Sequence, residues 1–340
     1  MAGIPKRYRP RSLTYVDFRQ KNADTRMHCR GGRVSARLDV GDRAPEFDLP
    51  DVSGGRVQLD AAAASATVVV FTANGCPFAL AWHDRIQDVA RDYAPADVAV
   101  LQVLSNDDST HPEDSVERMR ERVEAGEFVG PFLHDPTQSV AQAYGAVATP
   151  EVFVLDSAGV LRYHGAPDCD HDDPGQRAGW LRAALDAVLA GAAVGTERTS
   201  PAGCSIKWRV ELLWWDGCPT HDLAADRLER VLTEMGRQDV HVVKRRVVTQ
   251  AEADELKFPG SPTFQVGGVD LFPTASAPAL GCRVYTTREG RPTPLPEEPS
   301  LSSVLRERLA RPWDLPGWVD PRKREPEQTP LEESTEGTRR

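Results

Sequence analysis

The 340-residue sequence predicts an α/β protein made of two similar units in tandem, each a central mixed sheet flanked by helices. Three observations carry this. Ala66–Thr72 is a continuous apolar, β-branched run of strand length, the pattern of a strand buried on both faces, and Val98–Ser105 repeats it. The first strand of each half runs into a Cys-Pro pair that opens a helix, Cys76-Pro77 and Cys218-Pro219. Finally, one order of elements is read twice: strand, Cys-Pro, helix, strand, helix, X-Pro, hairpin, helix. Cys76 and Pro150 are 74 residues apart, Cys218 and Pro262 are 44 apart, and the difference of 30 is about one strand-and-helix insertion. The stretch Asn106–Gly130 supplies it, in the first unit only.

The elements follow in order. Val40 to Pro50 is an extended lead-in punctuated by prolines, with Gly54-Gly55 as a turn. After Ala66–Thr72 and Cys76, the residues Trp82, Ile86, Val89 and Tyr93 recur at helical spacing on one face. Pro77 suits the first helical turn, where a missing N–H costs nothing. Ser115 to Glu127 is a charged helix with Val116, Met119 and Val123 on one side, and Gln138 to Tyr144 is a short helix ended by Gly145. Thr149-Pro150 leads into Val152–Leu155, which turns at Ser157-Ala158-Gly159 into Val160–Tyr163. A helix carrying Trp180, Leu181, Ala184, Leu185 and Val188 closes the unit. In the second half, Trp208–Trp215 is a strand and Cys218-Pro219 opens a helix with Leu223, Leu228 and Leu232. Val240–Val248 is a strand, Gln250–Leu256 a short helix, and Ser261-Pro262 precedes Thr263–Val266 with a Gly267-Gly268 turn. A last helix carries Leu301, Val304, Leu305 and Leu309.

These elements predict a basic N-terminal arm at 1–38, a first domain at 39–194, a flexible linker at 195–207, a second domain at 208–312 and a polar, disordered tail at 313–340. The arm holds 10 Lys/Arg against 2 Asp/Glu, so the remainder of the net −10 chain holds 31 against 49. An acidic body argues against general nucleic-acid binding. No run of about 18 apolar residues is present, so no membrane span is expected. The basic start has no apolar segment behind it, so no secretory signal is read and a cytoplasmic location is the expectation. Met27 is an alternative start, and the arm, with Cys29, receives no function.

Six cysteines (Cys29, Cys76, Cys169, Cys204, Cys218, Cys282) are spread with no C-x-x-C pair, which excludes a zinc ribbon and a dense disulfide framework. A thiol reacts as the thiolate, and a helix N-terminus offers unpaired N–H groups and a positive dipole end that favour it. Cys76 stands there, after a strand that fixes it, in a loop expected to expose it, with no acid in the following Pro77-Phe78-Ala79-Leu80-Ala81. It is the expected catalytic nucleophile.

The segments Asn74-Gly75-Cys76-Pro77-Phe78, Val40-Gly41-Asp42-Arg43-Ala44-Pro45-Glu46-Phe47 and Gly203-Cys204-Ser205-Ile206-Lys207-Trp208, with Pro150 before a strand, resemble the redoxins of the alkyl hydroperoxide reductase and thiol-specific antioxidant group. Within it they are most similar to its peroxiredoxin-like thioredoxin family proteins. The resemblance covers about residues 38–208. It implies a thioredoxin fold, a cis Thr149-Pro150 bond facing Cys76, and thiol oxidoreductase or antioxidant activity. Two departures stand out. Ala79 replaces the second cysteine of a vicinal dithiol, and Val69 and Ala73 occupy the Pro and Thr/Ser places of a peroxiredoxin Pro-x-x-x-Thr/Ser-x-x-Cys motif. What remains is one-cysteine chemistry: slow peroxidase action through a sulfenate, mixed disulfides, or exchange with a distant resolving thiol. Cys204, on its mobile linker, is the expected resolver.

The second half, with Trp214-Trp215-Asp216-Gly217-Cys218-Pro219-Thr220-His221, Gly260-Ser261-Pro262-Thr263 and Leu280-Gly281-Cys282-Arg283-Val284-Tyr285, resembles small thioredoxin-like domains described alongside alkylmercury lyases. Two readings stay open for it. Cys218 and His221 on one helix turn make a redox pair, with Pro262 as a second cis-proline platform, or they join Cys282 as ligands of a metal or an organomercurial. The chain is then an enzyme acting on thiol or disulfide partner proteins or a peroxide, or a binding module or scaffold. No cofactor is expected and the oligomeric state stays open. Cys169, in Asp168-Cys169-Asp170-His171-Asp172-Asp173, belongs to a solvated acidic loop, with a divalent cation as the other reading.

Overall fold

The structure, a computed structural model, describes residues 38–315 and 318. The expectations for the basic arm, Cys29 and Met27, and for the tail after Pro321, lie outside the described residues. Within them, Pro312–Asp314 forms one turn of 3₁₀-helix, so the fold continues slightly past the expected boundary at 312.

The first unit begins with a hairpin of β1 (Asp48–Pro50) and β2 (Arg56–Gln58). It continues through β3 (Ala66–Thr72), α1 (Pro77–Tyr93), β4 (Val98–Leu104), α2 (Val116–Glu124), β5 (Phe132–His134), α3 (Ser139–Tyr144), β6 (Ala148–Thr149), β7 (Glu151–Asp156), β8 (Leu161–Gly165) and α4 (Gly179–Leu189). The five-stranded sheet has the order β5-β4-β3-β7-β8, with β3, β4 and β5 parallel and β7 and β8 antiparallel. Alternate residues of β3 enter different cores, as the period of two requires. Ala66, Val68 and Val70 pack with Trp82, Ile86 and Val89 of α1 and Leu181 and Leu185 of α4. Val69 and Phe71 pack on the opposite face with Leu101, Tyr144 and Phe153. This is the thioredoxin-type arrangement the sequence predicts.

Two short features differ from expectation. The lead-in forms the β1–β2 hairpin, and β5 adds a fifth strand between α2 and α3. Phe132-Leu133-His134 sits between Pro131 and Asp135-Pro136, so only three residues pair with β4, too few to stand out as an apolar run.

After α4 the chain passes through β9 (Cys204–Ser205) into β10 (Arg209–Trp214), α5 (His221–Glu234), β11 (His241–Arg246), α6 (Gln250–Glu255), β12 (Thr263–Val266), β13 (Val269–Asp270), β14 (Tyr285–Thr286), β15 (Pro292–Thr293) and α7 (Glu298–Arg308). The second sheet has the order β11-β10-β12-β13, with β11 parallel to β10 and the others antiparallel. That is the first sheet without its β5 edge, as the 30-residue difference requires.

The segment expected to be a flexible linker is ordered. Ala202, Ser205 and Ile206 are buried, and β9 pairs with β6 through Ala148↔Ser205 and Thr149↔Cys204. Lys207 is held at both backbone groups: its N–H donates to Asn106 Oδ1 at 2.9 Å, and its carbonyl accepts from Asp107 N at 3.0 Å and Gln138 Nε2 at 2.7 Å. Ile206 and Trp208 pack in the same core as Tyr144, Leu228 and Leu305, so the two units share apolar contacts. His241 Nδ1 lies 2.7 Å from Asp107 Oδ2 and 3.0 Å from Ser109 Oγ, joining the first unit's insertion to β11. Among the described residues no helix is long and apolar enough to cross a membrane.

Candidate active site

Cys76 is the N-cap of α1, with Pro77 at the first helical position and no acid in the first turn. Its sulfur accepts from Ala79 N–H at 3.4 Å, the bond a helix start offers to an anion. The thiol is not exposed, contrary to expectation: only 4% of Cys76 is accessible. It is covered by the Thr149-Pro150 turn, whose peptide bond is cis, and by Cys204. The Cys76 thiol donates to the Thr149 carbonyl at 2.9 Å. The buried Thr149 hydroxyl makes no conventional hydrogen bond, and it stands close enough to Cys76 to favour its thiolate.

Cys204 completes the site. Its side chain packs against Cys76, and as a hydrogen-bonding partner it is the largest reason why the Cys76 thiol is lowered from 9.0 to about 6, against the opposing effect of burial. Cys204 moves the other way, raised by the same bond and then by burial. One thiol of the pair is therefore poised as the anion and the other as the proton donor. The sequence pointed to Cys204 by a mobile tether, but it is the pairing of Thr149 with Cys204 that places it. Gly203 makes this approach possible, since a Cβ there would collide with the Thr149 carbonyl that accepts from Cys76.

Behind the turn lies a buried pair that sequence reasoning missed. Glu151, fully buried, accepts from Val147 N–H at 2.6 Å and Ala148 N–H at 2.9 Å through one carboxylate oxygen and meets His164 Nε2 with the other. The His164 ring stacks on Phe153 with centroids 4.4 Å apart. Glu151 thus fixes the backbone leading into Thr149. Its one visible signal was a lone charge between Pro150 and the apolar run Val152–Leu155.

The insertion clamps the site from the other side. Asp114, also buried, accepts from Asn74 N–H at 2.6 Å and Asn106 Nδ2 at 2.7 Å, and Asn106 in turn holds Lys207. One carboxylate thereby couples the loop before Cys76 to the strand that carries Cys204.

In the second unit, Ser261-Pro262 is cis as expected, but α5 starts at His221 with Thr220 as its N-cap. Cys218 therefore lies in the turn before the helix, not on it, and its sulfur is hydrogen-bonded with the Thr220 hydroxyl, at 3.4 Å. His221 Nδ1 donates to the Cys218 carbonyl at 2.8 Å, and its ring stacks on Trp214 at 4.3 Å. The imidazole thus braces the turn instead of facing the thiol. Cys218, His221 and Cys282 do not gather into a ligand set. Among the described residues only Asp170, His171 and Asp172 bring three donor atoms within 4.8 Å of one another, on a largely exposed loop. Cys169 is outside that group and donates to Gln176 Oε1 at 3.2 Å. Nor is the acidic loop wholly solvated: Asp168 is buried, ion-paired with Arg85 at 2.8 Å and bonded by Trp82 Nε1 at 2.6 Å.

Residues 40–164 match the AhpC/TSA family. The methylamine utilization protein MauD of Methylorubrum extorquens is 30% identical over 146 residues, which cover 41% of this chain and 65% of that protein. A provisionally named peroxiredoxin of Mycobacterium tuberculosis is 27% identical over 129 residues, 38% of this chain and 77% of its own. Among solved structures, a hypothetical protein of Sinorhizobium meliloti is 40% identical, with a TM-score of 0.48, covering 50% of this chain and 95% of that one.

Proposed function

Because residues 40–164 belong to the AhpC/TSA family, we propose that the chain is a thiol–disulfide oxidoreductase whose working pair is Cys76 and Cys204. The single observation that carries this is the packing of Cys204 against Cys76 beside Thr149-Pro150, fixed by the Thr149↔Cys204 pairing; it favours Cys76 as the thiolate and Cys204 as the protonated partner. Cys76 thiolate attacks one sulfur of a substrate disulfide, forming a mixed disulfide and releasing the other sulfur as a thiolate, which takes a proton from solvent. The attack consumes the Cys76 anion and with it the main cause that raised Cys204. Cys204 then loses its proton and attacks the Cys76 sulfur, closing the internal disulfide and expelling the second substrate thiolate.

The test is disulfide mapping of the full chain after limited oxidised glutathione. A Cys76–Cys204 bond in the native chain is expected, replaced by a persistent glutathione adduct on Cys76 in Cys204→Ser. Native protein in which Cys76 stays free, or pairs with Cys218, overturns the proposal.

The Thr149 hydroxyl favours a peroxide as a second oxidant, because it supplies at the site the hydroxyl that Val69 and Ala73 lack. Cys76 thiolate would take one peroxide oxygen to become sulfenic acid while the other oxygen leaves as hydroxide or alkoxide, and Cys204 would condense with it to release water. Thr149→Val should slow peroxide turnover more than disulfide exchange. Equal effects on both sink this second reading.

A further inference from the structure

We propose that Cys218 and Cys282 form a second dithiol redox pair that reduces a small-molecule or peptide disulfide on the second unit. In each unit the residue before a cis-proline is paired with a cysteine on a neighbouring segment. Thr149 pairs with Cys204 in the first and Ser261 with Cys282 in the second. The first pairing is antiparallel and the second is a single parallel bridge. Ser261 N–H donates to the Gly281 carbonyl at 2.8 Å, and Arg283 N–H to the Ser261 carbonyl at 2.9 Å, so residues 281–283 lie along the turn. A glycine again makes the approach possible: Gly260 has φ +130°, and a Cβ there would stand 3.1 Å from Arg283 N and 3.2 Å from the Gly281 carbonyl.

Ser261 also reaches toward Cys218. Its hydroxyl accepts from Trp215 N–H at 3.1 Å, and the Trp215 carbonyl accepts from Cys218 N–H at 2.9 Å. Two hydrogen-bonded steps thus link the backbone of Cys218 to the residue bridged with Cys282. Tyr285, three residues past Cys282, donates to the Pro262 carbonyl at 2.6 Å and is close enough to Cys218 for its phenol, raised mainly by burial, to feel that thiol as well.

Accessibility assigns the order of events. Cys282 is exposed and Cys218 is buried, so Cys282 meets the incoming disulfide. Its thiolate attacks one sulfur, forms a mixed disulfide and releases one substrate thiolate. Cys218 then gives its proton to solvent and attacks the Cys282 sulfur, forming the Cys218–Cys282 bond and releasing the second thiolate. The substrate disulfide takes two electrons and the two cysteines supply them. A disulfide needs Cα atoms within about 7 Å, and Ser261, bridged to Cys282 and hydrogen-bonded through Trp215 to Cys218, is the residue that stands between the two.

The logic borrows from the reading of Cys76 and Cys204, and the experiment separates the two. The full chain carrying Cys76→Ser and Cys204→Ser is treated with graded oxidised glutathione, alkylated and mapped by mass spectrometry. A Cys218–Cys282 cross-link is expected there, and Cys218→Ser added to it should leave a stable glutathione adduct on Cys282. A chain in which Cys282 accumulates the adduct while Cys218 stays free overturns the proposal. Should the double variant not fold, the same mapping of the native chain decides it: a Cys218–Cys282 peptide alongside any Cys76–Cys204 peptide supports the pair, and its absence at every glutathione ratio overturns it.

Discussion

The two units place a cysteine after the first strand of one sheet order, yet their thiols live in different electrostatic settings. Cys76 caps a 17-residue helix, receives Ala79 N–H and shares a hydrogen bond with a second thiol. Cys218 stands three residues before its helix, and the imidazole at that helix start bonds its carbonyl instead of its sulfur. The difference teaches that strand–Cys-Pro–helix is a way of delivering a thiol, whereas thiolate character is decided by where the helix begins and what lies across the cis-proline turn.

The largest expected effect tests that distinction directly. In a chain that carries Cys282→Ser, so that the second unit takes no part, Cys76→Ser should lower disulfide exchange roughly a thousandfold or more in a glutathione-coupled assay, since removing a nucleophile removes the covalent route. Cys218→Ser should change that same rate by less than about twofold. A comparable loss from either would erase the comparison.

Next in size is Glu151→Gln. It should destabilise the chain by about 3 kcal/mol, read from denaturant unfolding, because a buried pair with His164 is broken while His164 stays buried. Exchange activity should fall as well, since the backbone before Thr149 loses a charged acceptor.

Gly203→Ala comes third, at about 1–3 kcal/mol, because the added methyl meets the Thr149 carbonyl with little room to move. It should also separate Cys204 from Cys76 and so raise the pH at which Cys76 becomes reactive.

The pH profile gives the finest discrimination. Iodoacetamide labelling of Cys76 should be half-maximal near pH 6, rising with pH as the thiolate forms and level above about pH 7. Cys204→Ala removes the largest influence lowering that thiol, so the profile should move to higher pH and the labelling rate at pH 7 should fall roughly tenfold. An unshifted profile would show that the helix start alone sets Cys76, and the contrast with Cys218 would then rest on helix position only.

Much of this was legible in the residues. Continuous apolar runs and helical spacing located β3, α1 and β12, because burial on both faces of a sheet leaves an unmistakable composition. Pro77 and the acid-free turn located the cap at Cys76. These depend on neighbours within a few residues, whereas the cis turns came from the resemblance to known redoxins. Three things escaped. β5 is too short to show a period, and its strand character comes from pairing with β4. The helix after Cys218 starts at His221 although Pro219 favours an earlier start, because the Trp214–His221 stack and the His221–Cys218 carbonyl bond hold the turn open. The way Cys204, the expected resolver, is held against Cys76 escaped too: across 128 positions it depends on a two-residue pairing, a glycine without a Cβ and the Asp114–Asn106–Lys207 clamp instead of a mobile linker. By itself the sequence determined the order of elements, its repetition and the cysteine at a helix start, since each follows from local pattern. Only the tertiary structure decided how Cys204 is held against it and which of the two holds the proton, because a contact between distant side chains exists only once the backbone that carries both is closed.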